Sequence, residues 1–176
     1  PWTLSTIDDV RFVTGSLGGR VRRLVDLGCG SGCLTRHLVR AIGARVAGVD
    51  ANPMAVRAAQ DRSVGPAYVD RVEFKAGDVA DTGFADETID GAASLDVLLF
   101  VPDKVRALGE INRILKPGSG FAGTTFVYGS ELKALFAIPG FQPEVERGAL
   151  QSMLRFNYVP SPWSILQGVF KVPPGT

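Results

Sequence analysis

The side chains best suited to chemistry fall in four short stretches. Asp26-Leu27-Gly28-Cys29-Gly30-Ser31-Gly32 spells acid-x-G-x-G-x-G. Asp50 follows Gly48-Val49, Asp78 follows Ala76-Gly77, and Asp96 follows Ser94-Leu95. Glycine admits positive φ and lets a ligand approach the backbone with no Cβ in the way. A helix that starts on such a turn points unpaired N–H groups and the positive end of its dipole at whatever sits there. An acid ending a strand, as Asp50 is expected to do, can accept two hydrogen bonds from the vicinal hydroxyls of a ribose. A carboxylate at Asp78 can accept from an adenine amino group while Val79 offers its backbone N–H to a ring nitrogen. Met54 can lie on the ring face as readily as in a core. Asp50 alone does not distinguish a nicotinamide dinucleotide from another adenosine cofactor. The dinucleotide turn, however, wants G-x-G-x-x-G, and reading from Gly28 the third glycine falls on Cys33.

These residues need elements that bring them together. Leu24–Leu27 is a short apolar run that reads as a buried strand, and Leu34, Leu38 and Ile42 recur behind it at helical spacing. Ile7, Val10, Val13 and Leu17 predict a leading helix, ended by Gly18-Gly19. Ala44–Val49 is a second strand. Asn52 caps, and Pro53 opens, a helix running to about Val64. Further strands are expected at Arg71–Ala76, Thr88–Leu95 and Phe121–Tyr128. Helices are expected at Asp103–Leu115, stopped by Lys116-Pro117-Gly118, and at Glu131–Ala137. Gln142–Glu146 and Ser164–Val172 are additional strand candidates. Helix and strand alternating in this way means βαβ units: a doubly wound α/β domain with a mostly parallel sheet and helices on both faces. The ligand of such a sheet lies outside the carboxyl ends of its strands, where the glycine turn, Asp50, Asp78 and Ser94–Asp96 all fall.

Composition sets the bounds. A length of 176 residues suits a single domain over 1–176, with 1–19 an N-terminal helical segment. The 19 basic and 18 acidic residues leave a formal charge of +1, which offers nothing to nucleic acid or a membrane surface. No apolar run is long enough to span a bilayer, the N-terminus lacks the basic and apolar regions of a signal peptide, and a cytoplasmic location is the default. The chain starts at Pro1 rather than at a methionine and reads as part of a longer one. Its two cysteines exclude a disulfide scaffold. Cys29, Cys33 and His37 fall at four-residue steps, but no fourth ligand accompanies them, so no metal is expected.

Taken as a set, the stretches resemble the class I S-adenosylmethionine-dependent methyltransferases of small-molecule type. Asp26–Gly32 resembles their first motif. Ile89–Leu95, Leu99–Asp103 and Glu110-Ile111-Asn112-Arg113-Ile114-Leu115-Lys116-Pro117-Gly118 follow in order, the last similar to the family's E-x-x-R-x-L-K-P-G stretch. The resemblance covers about Leu24 to Thr125. It implies a seven-stranded sheet with the last strand antiparallel, and methyl transfer from a sulfonium to an oxygen, nitrogen or carbon nucleophile. It implies S-adenosylmethionine as cofactor, with S-adenosylhomocysteine as product, against Asp26, Gly28, Cys29, Gly30, Gly32, Asp50, Ala51, Met54, Asp78, Val79, Ser94 and Leu95. In that setting the glycines line the methionine end and the ribose, and Asp26 lies near the amino group.

Asp96 is the expected catalytic base if one is used, with His37 and Tyr128 as other candidates; His37 sits among polar helix residues and is expected to face solvent. Leu98, Leu99, Phe100, Phe126 and Tyr128 would suit a small, largely apolar acceptor with one polar handle. Asn-Pro-Pro-Tyr, the family's mark for nucleobase and glutamine amino groups, does not occur, and a homodimer stays open. The usual substrate-covering insertion is not legible, since only Gly129 and Ser130 separate the expected fifth strand from the next helix. Two other readings compete: a protein that binds S-adenosylmethionine without methyl transfer, and an NAD-dependent oxidoreductase. Cys33 in place of the third glycine, and the lack of a Tyr-x-x-x-Lys pair, speak against the second.

Overall fold

The computed structural model describes residues 7–17, 20–128, 142–145 and 163–171, with the backbone alone from 125 onward. Arg23–Leu27 forms β1, buried along its length after Arg23, and Cys33–Ile42 forms α2 behind the glycine turn. The leading helix α1, Ile7–Leu17, buries Val10, Val13 and Leu17 at the expected spacing. Arg45–Asp50 is β2. Pro53–Arg62 is α3, capped by the Asn52 side chain, which accepts from the Met54 N–H. Val72–Ala76 is β3, Ile89–Leu95 is β4, Leu98–Phe100 is a single 3₁₀ turn, and Lys104–Ile114 is α4 with Asp103 as its cap. Leu115–Tyr128 is β5, Gln142–Val145 is β6 and Trp163–Lys171 is β7. The helix expected at Glu131–Ala137 lies outside the described residues.

Strand order in the sheet is β3-β2-β1-β4-β5-β7-β6. The pairings from β3 through β5 are parallel, and β7 runs antiparallel to both its neighbours. The chain winds outward from β1 to β3, then crosses back to place β4 on the other side of β1. Ligand crevices open at such a reversal, where adjacent connections leave toward opposite sides. Here it lies between the ends of β1 and β4. On one face of the sheet, Val10, Val13 and Leu17 pack with Leu34, Leu38, Val46 and Ala122. On the other, Leu108, Ile111 and Ile114 of α4 pack with Val25, Val49, Ile89 and Phe121, together with Val79, Ala80 and Phe84 of the β3–β4 connection. The α/β class with a parallel sheet and helices on both faces therefore stands.

One boundary differs from expectation. Lys116-Pro117-Gly118 does end α4, but β5 begins at once, at Leu115 rather than Phe121. Leu115 pairs with Ile89 and Gly120 with Gly91, so the register shifts across Asp90 and residues 116–119 bulge outward. Proline has no N–H to give a ladder and is tolerated at such a bulge. Asp90 fills the gap by accepting from the Arg22 and Arg23 N–H groups and from Lys116 Nζ.

Candidate active site

The glycine turn is held from three sides. Gly28 and Cys29 donate their N–H groups to the Val49 carbonyl at 2.7 and 3.1 Å, and Gly30 donates to Asp50 Oδ2 at 2.8 Å. Asp50 Oδ1 accepts from the Asn52 N–H at 2.9 Å, and the Asp50 carbonyl accepts from Gly77 at 3.0 Å. The ends of β1, β2 and β3 are thus laced together around Asp50. Each carboxylate oxygen accepts one of these hydrogen bonds, so both retain a lone pair for a further donor.

Gly28, Gly30 and Gly32 have φ of 78°, 52° and 76°, but their surroundings differ. A Cβ on Gly28 would sit 2.1 Å from Val97 Cγ2, and one on Gly32 would sit 2.7 Å from Phe74 Cζ. These two glycines admit protein. A Cβ on Gly30 would meet nothing within 4 Å. Its φ favours glycine while the space above it is open, as a ligand cradle would be.

Asp26 lies beneath the turn, 2 % exposed, and its Oδ2 accepts from Thr35 Oγ1 at 2.5 Å. Burial pushes its carboxyl up to about 6; hydrogen bonds from Thr35 oppose the shift, and the charge of Asp50 adds to it. Burial likewise pushes the Cys29 thiol well above its ordinary value, with Asp26 and Asp50 adding to it, so Cys29 is a neutral packing group and not a nucleophile. Among the described residues no three His, Cys, Asp or Glu side chains converge on a point that could hold a metal.

The remaining expected residues sit as follows. Ala51 and Asp78 are exposed, and Met54 is 80 % exposed, so packing in a core is not its role. Asp78 Oδ1 accepts from the Ala80 N–H at 2.8 Å, closing a small turn that leaves Val79 buried. Ser94 is fully buried and its Oγ has no partner, while Leu95 is half-buried. Asp96 follows β4 in a left-handed conformation, φ 57°, an unusual state for a residue other than glycine. Thr124 holds it there twice. Its carbonyl accepts from the Asp96 N–H at 2.9 Å, and its Oγ1 donates to Asp96 Oδ1 at 2.7 Å. His37 is exposed on α2, as its neighbours suggested.

Leu98 requires a correction: it is 4 % exposed and belongs to the core beneath α4, because the 3₁₀ turn rolls it inward. Leu99 is half-buried and Phe100 is 78 % exposed; the side chains of Phe126 and Tyr128 lie outside the described residues.

Sequence reasoning missed the supporting residues. Thr35 and Thr124 carry no signal beyond a hydroxyl at the right place in the fold. In the sequence the Glu110–Arg113 pair is only part of a stretch resembling the family; the structure gives it a task. Glu110 Oε1 accepts from the Thr82 N–H and Oγ1 at 2.8 and 2.6 Å, and Arg113 Nε donates to Glu110 Oε2 at 2.7 Å. Arg113 also reaches the Phe84 carbonyl and Asp86. The pair braces the connection that carries Asp78 and Val79. Arg113 and Thr82 hold the Glu110 carboxyl down at about 2, against the opposing effect of burial.

With this geometry in place, comparison with known proteins is decisive for the family. The family described as "Methyltransferase domain" matches residues 25–122, more than half of the chain. The chain belongs to the class I S-adenosylmethionine-dependent methyltransferases.

A second family, "Glutamine amidotransferase domain", matches residues 119–176, a third of the chain that begins inside β5. Among curated relatives of the methyltransferase domain, Methyltransferase phqN of Penicillium fellutanum is 35 % identical over 100 residues, covering 57 % of this chain and 31 % of its own length. Tocopherol O-methyltransferase of Arabidopsis thaliana is 28 % identical over 99 residues, covering 56 % and 28 %. The chain spans about a third of the length of such relatives. Among solved structures, the [4+2]-cyclase SpnF superimposes with a TM-score of 0.77 at 21 % identity, covering 94 % of this chain and 80 % of that one. A geranyl diphosphate C-methyltransferase from Streptomyces coelicolor, solved with Mg2+, geranyl diphosphate and S-adenosyl-L-homocysteine, has a TM-score of 0.74 at 19 % identity, covering 96 % and 80 %. At those identities the likeness is one of fold.

Proposed function

We propose that this chain is the cofactor-binding and catalytic domain, a single unit over 1–176, of an enzyme that transfers a methyl group from S-adenosylmethionine to an oxygen, nitrogen or carbon nucleophile on a small, largely apolar molecule. The observation that carries the reading is the open space over Gly30, whose N–H is held by the Asp50 carboxylate, with the buried carboxylate of Asp26 at the end of the strand that leads into the turn. The pairing of β5, β7 and β6 supports the further reading that the sheet is the family's seven-stranded one with its last strand antiparallel.

The residues present fit the cofactor. Gly28, Cys29, Gly30 and Gly32 would line its amino-acid end and ribose, with Asp26 beside the ammonium group. Asp50 keeps acceptor capacity for the ribose diol after holding Gly30 and Asn52. Exposed Asp78, with Val79, would take the adenine edge, and exposed Met54 its face. Ser94 and Leu95 would line the floor at the end of β4. When bound, the cofactor supplies an electrophilic methyl on a sulfonium and leaves as a neutral thioether. The protein's own share is to hold the acceptor in line and exclude water; positioning of that kind can supply ~7–11 kcal/mol. Asp96, fixed by Thr124 just past the end of β4, would take the acceptor's proton, adding ~10²–10⁴-fold for a hydroxyl.

A second reading has a specific observation in its favour: a [4+2]-cyclase has this fold. The chain would then bind the cofactor without transferring its methyl. Product analysis separates the two. Incubated with methyl-labelled S-adenosylmethionine and a panel of apolar alcohols, amines and activated carbon acids, the enzyme should give a product carrying the label, with EDTA leaving turnover unchanged. Cofactor binding without label transfer on any acceptor favours the second reading, and loss of turnover with EDTA would overturn the metal-free mechanism.

A further inference from the structure

Thr35 stands in the first turn of α2, fully buried, with its Oγ1–H directed at Asp26 Oδ2 at 2.5 Å. Its backbone N–H donates to the same carboxylate. The first N–H groups of a helix need acceptors, and a side chain at the cap ordinarily supplies one. α2 opens on Gly32, which makes no side-chain cap bond. Asp26, from the end of β1, takes that role across the glycine turn. The junction between the glycine turn and α2 is therefore closed by one carboxylate and one hydroxyl.

The charges around Asp26 make Thr35 the one ally of its ionised form. From β2, Asp50 repels it; from the turn, Cys29 is kept neutral by burial; from β4, the residue opposite is Ala93. No cation on these elements accompanies it among the described residues. Among the described residues the Thr35 hydroxyl and N–H are what stabilise the charge, and hydrogen bonds to a charged group are about twice as strong as neutral ones.

We propose that Thr35 is a positioning residue, holding Asp26 ionised and aimed so that its carboxylate can receive the ammonium group of the cofactor's amino-acid end. The inference rests on the reading of this crevice as an S-adenosylmethionine site. Its signature is selective: Thr35 matters for ligands that carry the ammonium group and not for the adenosine part alone.

The test measures binding of S-adenosylhomocysteine and of 5′-methylthioadenosine, which lacks the amino-acid end, by calorimetry over about pH 5 to 7.5. In the unaltered protein, affinity for S-adenosylhomocysteine should rise with pH as Asp26 ionises, and affinity for methylthioadenosine should stay flat. Thr35→Val, similar in shape but without the hydroxyl, should move that rise upward by about one pH unit. At the original midpoint it should weaken S-adenosylhomocysteine binding about fivefold, as the ionised fraction falls from a half to about a tenth, and leave methylthioadenosine untouched. Thr35→Ser should restore the original profile. Asp26→Asn should flatten the profile altogether, which keeps the idea open to refutation should the valine variant not fold. An unshifted profile in Thr35→Val, an equal loss of both ligands, or an undiminished pH dependence in Asp26→Asn would overturn the proposal. Failure of the unaltered protein to bind either ligand would instead overturn the cofactor reading beneath it.

Discussion

Gly30→Ala separates a space kept for a ligand from one kept for packing. Gly30 has φ 52°, and a Cβ there meets no atom within 4 Å. The substitution therefore costs the protein little beyond the strain of a left-handed alanine, about 1–2 kcal/mol. For a chain of this size each kcal/mol lowers Tm by about 2–4 °C, and the Gly30 N–H can still reach Asp50. The added methyl stands in the space proposed for the cofactor, so affinity should fall by at least about tenfold, or 1.4 kcal/mol. Gly32→Ala is the contrast. It has the same φ problem, and its Cβ would press on Phe74 at 2.7 Å and Ala59 at 3.0 Å, adding an overpacking cost of about 1–3 kcal/mol. Thermal denaturation of both variants without ligand, followed by calorimetry with S-adenosylhomocysteine, checks the pair. Gly30→Ala should be the more stable of the two and still the poor binder. A folded Gly30→Ala with unchanged affinity would refute the assignment of that space to the cofactor.

Other variants probe the rest of the site. Asp26 has its folded-state pKa raised from 3.8 to about 6, so ionising it costs stability, fully above about pH 6 and not at all below 3.8. Asp26→Asn should accordingly stabilise the ligand-free protein at pH 7 by about 2–3 kcal/mol while weakening cofactor binding; a melting curve that moves down instead would contradict this. Asp50→Ala should cost more than about tenfold in affinity, because it removes both the proposed ribose acceptor and the clamp on Gly30; calorimetry on the folded variant decides. Arg113→Ala leaves Glu110 without its cation and should lower stability by about 1–2 kcal/mol, with a rise in KM for the cofactor as the Asp78 connection loosens; unchanged KM would show that the brace does not reach the site. The Glu110 contribution runs the other way in pH from that of Asp26: with the carboxyl held at about 2, it is present above the ordinary value of 4.5 and fades as pH falls toward 2. Asp96→Asn should lower turnover on a hydroxyl acceptor while cofactor affinity holds; equal turnover would leave positioning as the whole mechanism.

Much of the scaffold was legible because it depends on local rules. The spacing of Val10, Val13 and Leu17, the Asn52-Pro53 start and the glycine turn each depend on a few consecutive residues, and the structure places them as read. The start of β5 was not legible, because Lys-Pro-Gly marks the end of a helix equally well before a loop or before a bulged strand. Leu98 was misplaced because a single 3₁₀ turn shifts which side chains face inward. Within the site, the acids at strand ends were identified by position, but their partners were not. Gly30 meets Asp50 across 20 residues, and Thr124 meets Asp96 across 28. Such pairs exist only once strand order and register bring them together. The role of Glu110 and Arg113 in bracing the Asp78 connection emerged only from their bonds to Thr82 and Phe84.

The central claim is that the crevice at the ends of β1, β2 and β4 is built for S-adenosylmethionine. Isothermal titration of the unaltered protein with S-adenosylhomocysteine, and in parallel with NAD, tests it most directly. The account predicts saturable one-to-one binding of S-adenosylhomocysteine, accompanied by a rise in Tm that grows with ligand concentration, and no binding of NAD. Binding of NAD with none of S-adenosylhomocysteine would contradict it.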